Sequence, residues 1–360
     1  MKVFHIIARY NKGGTARWLN VLIPRLERLG CNVTIFAGNV KNNEIEDENF
    51  IKLNGRRLDS LARQVSPLKD LSTIWKFRRI LKVEKPDILN THTAKAGLVG
   101  RVASIGLGIK VVHTFHGHTF YGYFKRPVTQ IYLIIERVLS RFTDAYIVNG
   151  ERVMGELISN KIANPLKFNL IYPGIESFDL SSRTESRQFL HINENEFVVG
   201  WLARFAKVKR PDRLIEISKK LPYITFAVGG VGELKYLFVT NKLPKNVKYL
   251  GWIDPKLFWP ACDLALLTSD NEAAPIALIE AAYAGIPIVA EDVGSVSEVF
   301  EDGSGGILVH NLEERIAAIE KLALNREAVK IMGQNAQIYA LKKFSIEKFI
   351  DEHLRVYNSI

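Results

Sequence analysis

The chain has 360 residues and a mass of 40.7 kDa, more than one hydrophobic core usually organises, so two domains are expected. Hydrophobic residues make up 47% and charged residues 24%, which excludes disordered and collagen-like classes. The net charge of +11 is uneven: residues 1–170 hold 27 Lys and Arg against 13 Asp and Glu, residues 171–360 hold 22 against 25, and the basic half is expected to meet something anionic.

Strand-length apolar runs alternate with amphipathic stretches from the first residues onward. The predicted strands of the first half are Val3–Ala8, Val33–Phe36, Ile88–Asn90, Val111–Phe115, Ala145–Val148 and Asn169–Tyr172. Those of the second half are Val198–Leu202, Ile224–Val228, Val247–Leu250, Leu264–Leu267, Ile286–Ala290 and Gly306–Val309. Helical patterns such as Ala16–Leu29 and Pro211–Lys220 separate them, so the sequence predicts two doubly wound parallel-sheet lobes. The turn-rich segment Tyr172–Ser182 is the expected linker. Two such lobes facing each other would enclose a cleft, with ligands beyond the carboxyl ends of the strands. The longest run without Lys, Arg, Asp or Glu, Val111–Phe124, includes three histidines and is too short to cross a bilayer as a helix. No cleavable signal is expected at the N-terminus, and Cys31 and Cys262 fit no metal spacing, as in a cytoplasmic protein with free thiols.

Residues just after strands carry the chemistry. Gly13 and Gly14 follow the first strand and open a helix, a position where backbone amides can approach a phosphate; a tight turn without a ligand fits equally. The pattern is not the dinucleotide Gly-x-Gly-x-x-Gly, and no acidic residue follows the second strand, which disfavours a nicotinamide-dependent dehydrogenase. His113, His116 and His118 lie at and beyond a strand end, open to a structural role, substrate contact or metal binding, although no carboxylate or thiol lies near in sequence to complete a metal site. On a strand, His116 and His118 share one face and His113 points to the other. His5 and His92 fall in strand ends and read as core or supporting residues, and His353 attracts no role. Arg204, Lys207, Lys209 and Arg210 leave a strand within seven residues, where cations suit a di- or triphosphate; Lys207 reads as solvated surface. Between Pro275 and Gly285 the only polar groups are Glu280 and the Tyr283 hydroxyl, so Glu280 is a buried carboxylate, while Glu272 precedes the helix where its dipole favours an anion.

Together these segments resemble glycosyltransferase family 4, retaining nucleotide-sugar enzymes of the GT-B fold. Glu272–Glu280 matches the family's Glu-x7-Glu motif, Arg204 and Lys209 its Arg-x4-Lys pair, and Gly13–Gly14 its glycine loop; Asp87–Thr93 and Glu291–Glu298 also fit. Thr91–Gly97 and His113–Phe120 look like members that build bacterial surface polysaccharides, often from UDP-linked N-acetylhexosamines. The resemblance implies an acceptor domain at 1–172, a donor domain at 173–344 and a terminal helix at 345–360 packed back on the first. It implies catalytic roles for His116, Arg204, Lys209 and Glu272. Donor contacts would come from Gly13, Gly14, Ala273, Ala274, Pro275, Ile276 and Glu280. No metal and no cofactor are expected, since the sequence has no Asp-x-Asp and the cations can take the leaving group's charge.

The expected activity is transfer of a hexose or N-acetylhexosamine to a lipid-linked or polysaccharide acceptor. The alternatives are a GT-B nucleotide-sugar 2-epimerase and, more distantly, a basic nucleic-acid-binding protein, for which no motif speaks. A helix over Leu68–Lys82 should turn Ile74, Phe77 and Leu81 inward and Leu68, Leu71 and Trp75 outward among Arg78, Arg79 and Lys82. With Phe120–Arg126 as a second contact, that face predicts a peripheral protein on the anionic inner surface of the cell membrane.

Overall fold

A computed structural model describes residues 1–40, 44–61, 66–117, 126–176, 179–239 and 243–360. His118 and Phe120–Lys125 lie outside the described residues. The chain divides into two compact units, Met1–Gly174 with Ile346–Ile360, and Ile175–Ser345.

In chain order the first unit holds β1 (Lys2–Ile7), α1 (Gly14–Arg28), β2 (Asn32–Ala37), α2 (Asn49–Lys52), β3 (Arg56–Arg57), α3 (Pro67–Glu84) and β4 (Ile88–His92). It continues through α4 (Ala94–Ser104), β5 (Lys110–Phe115), α5 (Arg126–Leu139), β6 (Ala145–Val148), α6 (Glu151–Ser159) and β7 (Phe168–Leu170). The second unit holds α7 (Arg183–Phe189), β8 (Val198–Leu202), α8 (Pro211–Lys220), β9 (Thr225–Gly229), β10 (Val247–Gly251), α9 (Pro255–Phe258) and β11 (Leu264–Leu267). It ends with α10 (Ile276–Tyr283), β12 (Ile288–Glu291), β13 (Gly306–Val309), α11 (Leu312–Ala323) and α12 (Arg326–Lys343), after which α13 (Ile346–Ser359) returns to the first unit.

The first sheet has seven strands in the order β3-β2-β1-β4-β5-β6-β7, and its pairs are parallel. Helices cover both faces, so successive residues of a strand enter different cores. On β1, Val3 and Ile7 join α1 and α13, whereas Phe4 and Ile6 join α3 and α4. Trp18 of α1 is 2% exposed and meets Phe349 of α13 edge-on at 4.7 Å, which fixes the last helix to this unit. Burying an aromatic of this size contributes about 2 to 3 kcal/mol. The second sheet has six strands in the order β10-β9-β8-β11-β12-β13. Each order reverses once, between β1 and β4 and between β8 and β11, and such a reversal opens a crevice at the strands' carboxyl ends.

Element boundaries depart from expectation in explicable places. Helix α1 begins at Gly14 rather than Ala16, because its glycine start carries no apolar signal. Strand β3 is two arginines paired beside β2, too short and polar to show as a periodic run. Pro275 stands at the N-cap of α10, and Gly285 at φ 73° follows the helix, as a glycine past a helix C-terminus commonly does. On α3 Phe77 and Leu81 are buried, while Leu68, Leu71 and Trp75 stand exposed, with the Arg79 guanidinium 4.8 Å from the Trp75 ring centroid.

Candidate active site

The crevice of the second unit is built by the turns after β8 and β11. After β8 the chain runs through Arg204 to a 3-10 turn at Lys207–Lys209 that leads into α8. The Phe205 amide donates to the Val231 carbonyl at 3.0 Å and the Ala203 amide to that of Gly229 at 3.2 Å. The glycine turn between must come close: at Gly230, with φ 129°, a Cβ would stand 1.9 Å from the Ala203 oxygen. Arg204 is exposed on this braced turn and makes no ion pair among the described residues.

Lys209 and Glu272 come together. The Lys209 Nζ donates to Glu272 Oε1 at 2.5 Å and Oε2 at 2.7 Å, and Ser269 Oγ donates to Oε1 at 2.6 Å. Glu272 is 8% exposed, so its charge needs this ammonium and hydroxyl. The lysine backbone is itself anchored: Trp201 Nε1 donates to Thr268 Oγ1 at 3.0 Å, and that hydroxyl donates to the Lys209 carbonyl at 2.9 Å. Behind Glu272 lies Gly294, at φ 53°, where a Cβ would stand 1.7 Å from the Glu272 carbonyl oxygen; the Ser295 amide donates to that oxygen at 3.3 Å. Glu291, at the head of the same motif, is bound by Arg213 at 2.9 Å and Arg315 at 2.6 Å. Thus Glu291–Glu298 is scaffolding for the turn that carries Glu272. Ala273, Ala274 and Pro275 are buried at the approach to α10, and Glu280 is 4% exposed within it.

In the first unit, Gly13 and Gly14 are exposed at the start of α1, with no side chain capping the first turn. The histidines separate by strand face. His113 is buried, accepts or donates at 2.7 Å with the Thr91 hydroxyl, and has its affinity for a proton lowered by burial and by Arg101. His116 faces the α1 and α13 side, bonded through Nε2 to His92 Nδ1 at 2.9 Å and edge-on to Trp18 at 5.1 Å. His92 Nε2 in turn meets His5 Nδ1 at 2.9 Å. Burial is the largest cause that keeps these rings neutral, taking His5 and His116 to about 3 and His92 well below 6.5. Among the described residues no group of His, Cys, Asp and Glu is arranged to hold a metal ion.

Sequence reasoning missed Ser269, Thr268 and Trp201, which carry no charge and stand in ordinary strand and turn contexts. It also missed His353, completely buried on α13 beside Trp18. A further omission is a row on α5: Val128, Ile131, Ile134 and Val138, followed by Phe142, are all exposed. Their spacing of three, three and four was visible in the sequence. No described helix is long and apolar enough to cross a membrane.

Comparison with known proteins agrees with this architecture. A family model for Glycosyltransferase Family 4 matches residues 12–177, and one for Glycosyl transferases group 1 matches residues 182–339. The chain is 27% identical over 318 residues to an Escherichia coli UDP-Gal:alpha-D-GlcNAc-diphosphoundecaprenol alpha-1,3-galactosyltransferase, covering 83% of this chain and 82% of that one. It is 26% identical to the Escherichia coli O-antigen biosynthesis glycosyltransferase WbnH, over 96% of this chain and 95% of the relative. The crystal structure of Anabaena Alr3699/HepE in complex with UDP and glucose superposes over 100% of both chains with a TM-score of 0.84 at 22% identity, a likeness of fold. Two parallel sheets of seven and six strands, the motifs at their strand ends and the matched families place this chain in glycosyltransferase family 4, as a GT-B glycosyltransferase.

Proposed function

We propose that the enzyme is a retaining, metal-independent hexosyltransferase. It moves a hexose or N-acetylhexosamine from a UDP-sugar to a lipid-linked or polysaccharide acceptor in cell-surface glycan synthesis. The observation that carries this reading is the Lys209–Glu272–Ser269 cluster at the strand-order reversal of the second sheet. The names of the E. coli relatives support the glycan and the UDP-linked donor.

In this reading the second unit receives the donor and the first the acceptor. As the bond between the anomeric carbon and the phosphate breaks, negative charge grows on the diphosphate. Arg204 and Lys209 stabilise it, doing what a metal does elsewhere. Glu272 and the amides of Ala273, Ala274 and Ile276 hold sugar hydroxyls, Pro275 shapes their turn, and Glu280 accepts from the ribose. His116 is assigned a catalytic role in the first unit on the family resemblance alone. The acceptor oxygen bonds to carbon on the face the phosphate leaves, and the departing phosphate oxygen takes the acceptor's proton, which conserves the configuration.

We also assign an anionic membrane surface as a partner of the first unit. The exposed apolar rows of α3 and α5 are interleaved with exposed Lys69, Lys76, Arg79, Lys82 and Arg137, a composition suited to the interfacial region. The protein would then work as a peripheral protein of the cytoplasmic face. Product analysis by proton NMR tests the chemistry: with a UDP-sugar and a lipid-linked acceptor, the new linkage should keep the donor's anomeric configuration, and turnover should survive EDTA. An inverted product, or activity lost to EDTA and restored by Mg²⁺ or Mn²⁺, would contradict it.

A further inference from the structure

Arg213, in the first turn of α8, binds the turns that follow two other strands of its own sheet. Its Nη1 donates to the Thr268 carbonyl at 3.1 Å and to Glu291 Oε2 at 2.9 Å, and its Nη2 lies 2.8 Å from Asp270 Oδ1. Thr268 and Asp270 are the residues on either side of Ser269, whose hydroxyl donates to Glu272. Glu291 ends β12 and leads to Gly294 and Ser295, which back the Glu272 carbonyl. Lys209 stands four residues before Arg213, joined to it through Arg210 at φ 50° and the Pro211 that opens α8. One guanidinium therefore spans the turns after β8, β11 and β12.

Charge balance and helix stability do not account for this arginine. Arg315 also holds Glu291 at 2.6 Å, and Arg210 also holds Asp270 at 3.2 Å, so each carboxylate keeps a cation when Arg213 is removed. Neither of those arginines bonds to both carboxylates: among the described residues Arg315 reaches Glu291, and Arg210 reaches Asp270 and Asp212. A cation in the first turn opposes the helix dipole, so α8 gains nothing from it. Ion pairs as exposed as Arg213–Asp270, with side chains 25% and 37% accessible, add little to stability. What Arg213 alone supplies is the link between turns. The Asp270 amide adds a bond to the Val208 carbonyl at 2.8 Å, so the turn that carries Ser269 moves with the turn that carries Lys209.

We propose that Arg213 is a positioning residue of the second unit: by holding Thr268, Asp270 and Glu291 with one planar group, it fixes the Lys209 ammonium and the Ser269 hydroxyl on the Glu272 carboxylate. Its consequence for turnover rests on the donor role given to Lys209 and Glu272 above. Displacing such a group by about 1 Å can cost on the order of 100-fold in rate, and loosening one of its supports costs a part of that. Arg213 gave no signal in the sequence: it follows a proline and an aspartate at a helix start, and its partners lie 55 and 78 positions away.

A double-mutant cycle in the full-length protein tests this, with turnover read as UDP release in the reaction of a UDP-sugar with a lipid-linked acceptor. Arg213→Gln alone should lower kcat about 10-fold. Its melting temperature should stay within about 3 °C of wild type, since both carboxylates keep a cation. In the Lys209→Ala protein the same change should cost less than about 2-fold more, because the ammonium it positions is gone. Wild-type kcat in Arg213→Gln would overturn the proposal. So would an equal loss in both backgrounds, or a loss that tracks unfolding, which are what a purely structural residue gives. Arg213→Lys keeps the charge without the planar fork, and should lower kcat about 5-fold while melting as the wild type does; full activity there would also overturn it. Wild-type kcat in both Lys209→Ala and Glu272→Ala would instead remove the donor reading, so the two failures are distinguishable.

Discussion

Lys209 and Glu272 are each other's counter-ions before any donor arrives, with Ser269 as the third partner. Removing either charge therefore does more than delete one donor contact: Lys209→Ala leaves a carboxylate buried with only a hydroxyl to answer it. A double-mutant cycle should be strongly non-additive. Each single change should cost about 100-fold in kcat, and the double variant little more than either, because groups acting as a unit lose their effect together. Simple multiplication of the two losses would show that they act separately. Gly294 makes a sharper test of the scaffold. Gly294→Ala puts a methyl group 1.7 Å from the Glu272 carbonyl oxygen and asks a residue with a side chain to hold φ 53°, so the turn must move. Turnover should fall as far as in Glu272→Ala; near-wild-type kinetics would mean the turn position is unimportant.

At the scale of elements, α3 and α5 leave their apolar rows uncovered. Leu68 is 83% exposed, Leu71 64%, Trp75 59% and Ile131 57%, so these side chains contribute nothing to the core and are available to a surface. Co-sedimentation with anionic vesicles at low salt should pellet the protein, and added salt should release it by screening. Trp75→Ser with Ile131→Ser should weaken binding without changing the melting temperature by more than about 2 °C, because exposed residues rarely alter stability. Protein that stays in the supernatant would contradict the membrane reading. The apolar outward row of α3 was legible from helical spacing, but Arg78, expected beside it, instead donates to the Ala103 and Ile105 carbonyls; the strands were legible from apolar runs buried on both faces. Trp201 and Thr268 were not, because a tryptophan in a strand announces burial and gives no hint that its N–H anchors the lysine backbone through a threonine 67 positions away. His353 was equally silent: its meaning depends on α13 crossing back to the first unit, which no local pattern encodes.

Across the whole molecule, histidines held neutral tie stability to pH: His5, His92, His113 and His353 are buried and His116 is half-buried. Burial takes His5 and His116 to about 3 and His353 to about 4, and puts His92 well below its ordinary value. Above an unfolded-state value near 6.5 both states are neutral and the group adds no pH dependence. Below it the unfolded chain takes up protons that the folded chain refuses, so stability falls as pH drops, and it keeps falling until the folded values are reached. Each histidine contributes a slope of about 1.4 kcal/mol per pH unit well inside that window. Denaturant unfolding between about pH 6 and pH 5 lies above the carboxylate range, and should show this loss. His353→Phe should flatten the slope by about one histidine's share; an unchanged slope would contradict neutral burial of that ring.

The donor site proposed in the second unit is tested most directly by a thermal-shift titration with UDP and UDP-sugars. A ligand bound only by the folded state stabilises by about 2.7 kcal/mol at one hundred times its dissociation constant. UDP-sugars should therefore raise the melting temperature of the wild-type protein in the presence of EDTA. Glu280→Ala should abolish most of the shift produced by UDP itself, and Glu272→Ala should remove chiefly the extra shift produced by the sugar. No shift with any uridine nucleotide at millimolar concentration, or equal shifts in wild type and both variants, would contradict the assignment of Glu272 and Glu280 to the donor.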